Sequence, residues 1–263
     1  MVDFEYRDFY TLADLIRVLR ILRSPEGCPW DREQEHISLR RNMLEEAYEA
    51  VDAIDSGDMA ALREELGDVL MQVIFHAQIE EDAGRFTLDD VADTVCKKLI
   101  YRHPHVFGTV RAEDSETVLT NWEALKRSEK GQHSTTEAME SVAHALPATW
   151  RAEKIQTKAA KAGFDWPTDR GAMDKLSEEL GELSEALARG EMDAPHGIRE
   201  EAGDLLFAAV NGVRRAGVDP EEALHSACEK FIRRYRAVEE GVQVDKLSAQ
   251  ELAHRWETAK HTV

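Results

Sequence analysis

Acidic residues recur at helical spacing in four places. Glu45-Glu46-x-x-Glu49 is followed by Glu64-Glu65-x-x-Asp68, and far downstream Glu178-Glu179-x-x-Glu182 is followed by Glu200-Glu201-x-x-Asp204. A helix advances about 100° per residue, so side chains one turn apart share a face and each stretch offers two carboxylates side by side. Like charges so placed repel when exposed and repel more when half buried. Their repetition asks for a positive partner. Two antiparallel helices would set the pairs face to face, giving four carboxylates with no His or Cys beside them. That all-oxygen set suits Mg²⁺ or Mn²⁺ rather than zinc or iron. A di-iron bundle would need Glu-x-x-His pairs, which the acidic helices lack. His76 lies eight residues beyond Asp68, and the matching downstream stretch has no histidine.

The elements that must carry these acids follow from apolar periodicity. With Leu44 at 0°, Ala47, Tyr48, Val51 and Ile54 fall within about 80° of it, and the acids Glu45, Glu46, Glu49 and Asp52 cover an arc from about 80° to 200°. The first set is expected to face the core. On the next helix Leu62, Leu66, Val69, Leu70 and Val73 form the expected buried stripe, with Glu65 and Asp68 at its edge. Helices are expected at 12–23, 38–55 and 59–82, the last two joined by Ser56-Gly57-Asp58. Thr87 with Asp90 starts another, which ends before Pro104, and a further one covers 115–130. Downstream, helices are expected at 148–162, 171–189, 196–215, 220–240 and 248–260. Asp219-Pro220-Glu221-Glu222 carries an N-cap, a proline at the first helical position and acids in the first turn. SPEGCPW at 24–30 reads as a loop, and Trp30 and Trp166 are expected to plug the ends of a helical bundle.

Basic and aromatic residues repeat in the same order. Lys98-x-x-x-Arg102 matches Lys230-x-x-x-Arg234, and Trp122-x-x-x-Lys126 matches Trp256-x-x-x-Lys260. Each Lys/Arg pair lies one turn apart and could grip phosphate oxygens, although such pairs also serve as plain surface charge near a helix C-terminus. Trp256 with Lys260 could stack a base and contact phosphate, or be ordinary core. Four paired signatures in one order mark an internal duplication rather than a solenoid. The first domain is expected over 1–130, a Ser-, Thr- and His-rich linker over 131–147 and the second domain over 148–263.

Composition bounds the rest. In 263 residues, 43% are hydrophobic and 32% charged, and only 7 are proline. Long β-branched runs are absent, so the fold class is all-α. The formal net charge of −19 argues against a nucleic-acid polymer as partner, because polymer binding rests on a basic surface. A small anion could still bind through metal ions. No run approaches the roughly 20 apolar residues of a membrane span, and the start lacks a signal peptide's layout. Cys28, Cys96 and Cys228 form no CxxC pair and fit reduced thiols in a cytoplasmic protein. His103-Pro104-His105 reads as a helix stop.

The order CPWD, LEEAYEAVDA, EELGDVLMQVIFHAQ and KLIYRHPHVFG, then KAAKAGFDW, SEELGELSEA and EEAGDLLFAAVN, resembles the tandem-domain MazG proteins over nearly the whole chain. The resemblance implies two tandem helical domains with four-helix-bundle packing completed by dimerisation. It implies a nucleoside triphosphate pyrophosphohydrolase that cuts between the α and β phosphates with Mg²⁺. The metal ligands it implies are Glu179, Glu182, Glu201 and Asp204, with Glu46, Glu49, Glu65 and Asp68 as first-half counterparts. Lys175, Lys230, Arg234 and Trp256 form the implied nucleotide-binding set. Asn42 stands where the second half has Lys175, so the second half is expected to be the main catalytic unit. In the expected mechanism Glu178, outside the ligand set, orients a metal-activated water, and Lys230 and Arg234 stabilise the departing pyrophosphate. Two other readings remain at this level: a narrower pyrophosphatase for dUTP or phosphoribosyl-ATP, and a non-catalytic acidic adaptor for a basic partner.

Overall fold

The computed structural model describes residues 4–109, 111 and 114–262, the side chains at 115, 116, 119 and 120 excepted. The described residues are all-α, with no strand among them. They form two compact units that divide between Lys126 and Arg127.

The first unit comprises α1 (Leu12–Leu22), α2 (Pro29–Glu33), α3 (His36–Ser56), α4 (Met59–Asp82), α5 (Leu88–Arg102) and α6 (Pro104–Phe107). The division falls inside α7 (Ser115–Glu129). Thr11 and Asp14 make a reciprocal capping box at the start of α1. Gly57, at φ 70°, ends α3 in the left-handed conformation that a Cβ would oppose. Asp58 follows at once and accepts from the amides of Ala60 and Ala61 to start α4. That tight reversal lays α4 back along α3. Leu19 of α1, Leu39 of α3 and Ile74 and Phe75 of α4 make the buried core, with Leu15, Ile16, Leu22 and Met71 packed on it.

The second unit holds α8 (Thr135–Glu140), α9 (Ala148–Lys161), α10 (Asp169–Arg189), α11 (Ile198–Arg215), α12 (Pro220–Glu239) and α13 (Ala249–Thr262). α10 packs on α11, α9 on both α8 and α11, and α12 on α13. Asp219 accepts from the amides of Glu221 and Glu222, so the cap read at 219–222 is formed.

The α3–α4 hairpin corrects the expected facing of its apolar stripes. Leu44, Tyr48, Val51, Ile54, Leu66 and Leu70 are exposed. The buried seam of α3 is instead Leu39, Ala50 and Ala53, with Glu46 half buried in the same row. In the second unit Ala172, Glu179 and Ala186 line up on α10 at intervals of seven and are buried. Alanines let two helices approach closely, and the acids fall on that narrow seam. The bulky apolar residues are left on the flank because each hairpin has few helices of its own unit to cover it. Trp30 is also corrected: it is 59% exposed on the short α2 and plugs nothing.

Candidate functional site

The α10–α11 hairpin brings Glu179, Glu201 and Asp204 together, with one carboxylate oxygen from each lying within 4.8 Å of the others. Glu179 and Glu201 are buried and Asp204 is exposed. Glu182, one turn beyond Glu179, stands beside them. Burial first, and then a hydrogen bond and charge from Glu179, raise its carboxyl above the ordinary range. Lys175, one turn before Glu179, reaches Glu179 at 2.7 Å and Glu178 at 2.8 Å. Those two acids hold the ammonium's pKa above its usual value, Glu178 contributing most. Glu178 is therefore tied to Lys175 on the outer side of the helix.

The first unit repeats the arrangement without the lysine. Glu46, Glu49 and Glu65 converge within 4.8 Å on the α3–α4 seam. Burial raises the Glu46 carboxyl, helped by the charges of Asp68, Glu49 and Glu65. Glu65 is raised in the same way, by burial first and then by Glu49 and Asp68. Asp68 is thus part of the group electrostatically, although it lies outside the tight trio. Asn42, half buried on α3, brings no charge. Carboxylates pushed up by burial and by one another form a site short of positive charge.

The expectation that no histidine stands near the acids is corrected. His196 Nδ1 lies 3.3 Å from Glu201 Oε1. Its backbone is at φ 56°, the left-handed region, and it is the only non-glycine there among the described residues. Its carbonyl accepts from Arg189 Nη2 at 2.6 Å, and its amide donates to Glu200 Oε2 at 2.7 Å. The helix expected over 196–215 starts instead at Ile198, which leaves this residue in the loop before α11. Its place five residues before Glu201, between Pro195 and Gly197, was the only signal.

The other expected residues lie elsewhere in the second unit. Lys230 is exposed on α12 and Arg234 half buried beside it, with no partner for Arg234 Nε among the described residues. Trp256 of α13 packs on Phe231 of α12 at 5.1 Å between ring centroids. Lys260 pairs with Glu257 at 2.6 Å. In the first unit Arg102 and Lys126 both lie over the Trp122 ring, at 5.3 and 4.7 Å from its centroid. Lys175, Glu179 and Asp204 open onto a cavity of about 640 Å³ whose walls also include Gln156 and Trp166. Lys230, Arg234, Trp256 and Lys260 do not line it. Trp166 is 40% exposed at the cavity wall, so it does not plug a bundle end.

Comparison with known proteins adds a family. A model described as the MazG nucleotide pyrophosphohydrolase domain matches residues 34–107 and again 168–239. The nucleoside triphosphate pyrophosphohydrolase/pyrophosphatase MazG of Thermotoga maritima is 43% identical over 252 residues, 94% of each chain. The nucleoside triphosphate pyrophosphohydrolase of Escherichia coli K12 is 41% identical over 252 residues, 94% of this chain and 95% of its own.

Proposed function

The chain belongs to the MazG nucleotide pyrophosphohydrolase family, and from that premise we propose that it hydrolyses nucleoside triphosphates to the monophosphate and pyrophosphate. A water oxygen bonds to the α phosphorus, the bond from that phosphorus to the α–β bridging oxygen breaks, and pyrophosphate leaves with the electron pair. The observation that carries this reading is the convergence of Glu179, Glu201 and Asp204 with Lys175 on one seam. Convergence at the equivalent place in the first unit supports it.

The donor set fits Mg²⁺, with Mn²⁺ as a substitute. Three carboxylates within 4.8 Å, raised neighbours and no sulfur among them make a hard oxygen site. Glu179, Glu182, Glu201 and Asp204 would hold the ion in the second unit, and Glu46, Glu49, Glu65 and Asp68 in the first. Bound there, the metal would neutralise triphosphate charge and lower the pKa of water. With a cation held by the acids, Lys175 would be free to leave Glu179 and meet a phosphate oxygen. Glu178, released from the same lysine, would accept the proton of the attacking water. Lys230 and Arg234 supply positive charge for the departing pyrophosphate, and Trp256 and Lys260 complete the nucleotide-binding set. The second unit is the main catalytic one, since the first has Asn42 in place of the lysine.

The active form is a homodimer. The apolar flanks of both hairpins, including Leu180, Leu187 and Leu206 on α10 and α11, are exposed and need cover. The reaction belongs in the cytoplasm, with its nucleotides; no described helix is long and apolar enough to cross a membrane. The test is pyrophosphate release from the canonical ribo- and deoxyribonucleoside triphosphates with Mg²⁺, using the full chain. Release that disappears on chelation supports the reading. No release from any of them overturns it.

A further inference from the structure

The two helical hairpins carry matching acids and differ in how their helices are joined. Two residues, 57–58, separate α3 from α4, and eight, 190–197, separate α10 from α11. The longer connection is folded onto its own ends. The amides of Gly197, Ile198 and Arg199 donate to the carbonyls of Ala194, Glu191 and Met192 at 2.8, 3.0 and 3.1 Å, and Arg199 pairs with Asp193 at 2.6 Å. His196 is fixed within it at both backbone groups, by Arg189 on its carbonyl and Glu200 on its amide. A non-glycine residue keeps a backbone at φ 56° only where its surroundings impose it. The effect is to hold an imidazole beside a buried acid of the seam. In the first unit Ala60 stands five residues before Glu65, as His196 does before Glu201, and an alanine side chain offers no donor.

The imidazole does little there as an ion-pair partner. Its Nδ1 lies 3.3 Å from Glu201 Oε1, with the histidine side chain 81% exposed and the glutamate 5%. A charge-assisted bond closes to about 2.7–2.9 Å, and a pair with one member in water contributes little. The same spacing suits two ligands of one ion. An ion about 2.2 Å from both atoms would see them at roughly 100°, close to the right angle between neighbouring octahedral ligands. His196 stands outside the trio that Glu201 forms with Glu179 and Asp204, and its exposed ring can turn toward an ion bound among them. A nitrogen donor changes which ion fits. Mg²⁺ takes oxygen and gives up water reluctantly, whereas imidazole suits transition-metal ions.

We propose that His196 is a metal-selecting residue: its Nδ1 binds the divalent ion that Glu201 holds and shifts the preference of the second-unit site from Mg²⁺ toward Mn²⁺. The proposal rests on the metal site of the proposed function. It gives the two units different donor chemistry, since the first-unit acids offer oxygen alone.

Pulsed electron paramagnetic resonance of bound Mn²⁺ tests this without turnover, because a directly bound nitrogen couples to the electron spin. The sample is the full chain carrying Glu46→Gln, which removes a first-unit ligand, with Mn²⁺ below one equivalent. The nitrogen coupling should be present, and should vanish in His196→Asn and in His196→Gly. Asparagine tolerates the left-handed backbone and puts an oxygen where Nδ1 was; glycine keeps the backbone and removes the donor. In titration calorimetry His196→Asn is expected to weaken Mn²⁺ binding about tenfold and to leave Mg²⁺ binding nearly unchanged. A purely structural histidine predicts equal losses for both ions. Equal losses, no nitrogen coupling in the chain that keeps His196, or coupling that persists in both variants overturns the proposal. Mn²⁺ bound without nitrogen coupling removes the role of His196 and leaves the acidic site standing, whereas failure to bind Mn²⁺ or Mg²⁺ at all removes both.

Discussion

Glu201 is the acid with least freedom to do anything else. It is buried, its oxygen lies within 4.8 Å of those of Glu179 and Asp204, and its other neighbour is His196 at 3.3 Å. Glu201→Gln keeps the volume and removes the charge. It should lower pyrophosphate release by about a hundredfold or more and abolish the Mg²⁺-dependent rise in melting temperature, with the helical circular-dichroism spectrum unchanged. Activity within a few fold of the original would sink the ligand assignment. A second set of residues gives a pH dependence away from the acids. His36 Nδ1 meets His76 Nδ1 at 2.7 Å, His36 Nε2 meets Glu80 Oε1 at 2.5 Å, and Arg85 holds Glu80 from the other side. Arg85 and then His36 pull the Glu80 carboxyl down to about 2. Burial, helped by the charge of His36, lowers the His76 imidazole below 6.5. His76 is therefore neutral in the fold at pH values where the unfolded chain already binds a proton. Stability falls as pH drops below 6.5 for that reason, and again between 4.5 and about 2 as Glu80 loses its partners. Urea midpoints measured from pH 8 to 5 should show the first decline, and His76→Gln should flatten it. An equal slope in the variant would assign the decline to other groups.

At the scale of the element, the seam between α10 and α11 is set by small residues. Ala186 has no exposed surface. Ala186→Leu would force the helices apart, at about 1–3 kcal/mol, and would move Glu179, two turns earlier, away from Glu201. Melting temperature and pyrophosphate release should fall together. Leu187→Ala, next to it but 58% exposed, should leave the melting temperature of a dilute, dissociated sample nearly unchanged. Much of this level was legible in the residues. The long periodic helices and their caps follow from local rules, so α4 occupies the expected 59–82 and Asp219 caps α12 as read. The short α2, α6 and α8, five, four and six residues long, carry too few turns for a period to register. Facing was the larger miss. A helix with one alanine row and one Leu/Tyr/Val row has two candidate buried faces, and hydrophobicity alone chose the bulkier. Packing against the nearest neighbour chose the alanines, which is why the acids were placed at an edge and found on the seam. The place of His196 was not legible, because it depends on a left-handed loop backbone.

For the whole molecule, the exposed flanks carry the argument. In each unit the hairpin that gathers acids also shows water a row of large apolar side chains: Leu44, Tyr48 and Val51 in the first, Leu180, Leu187 and Leu206 in the second. Leu206 alone is 67% exposed. Apolar surface left in water forgoes about 25 cal/mol per Å², and a stable interface hides about 800 Å² on each partner. A continuous Leu/Tyr/Val face on a long hairpin is the kind of surface that supplies such an area. Pairing with the same face of a second copy satisfies both at once, as an isologous contact. Light scattering at micromolar concentration should return twice the 29.7 kDa of one chain. Leu206→Asp places a charge at the centre of the proposed contact and should shift that mass toward the single chain. The carboxylate group on α10 and α11 belongs to one hairpin, so Mg²⁺ binding by calorimetry should survive in the separated chains. Hydrolysis should fall, because the open flank would admit water to the seam. A single-chain mass for the unaltered protein would remove the pairing; a pair that persists with Leu206→Asp would move the contact to another surface.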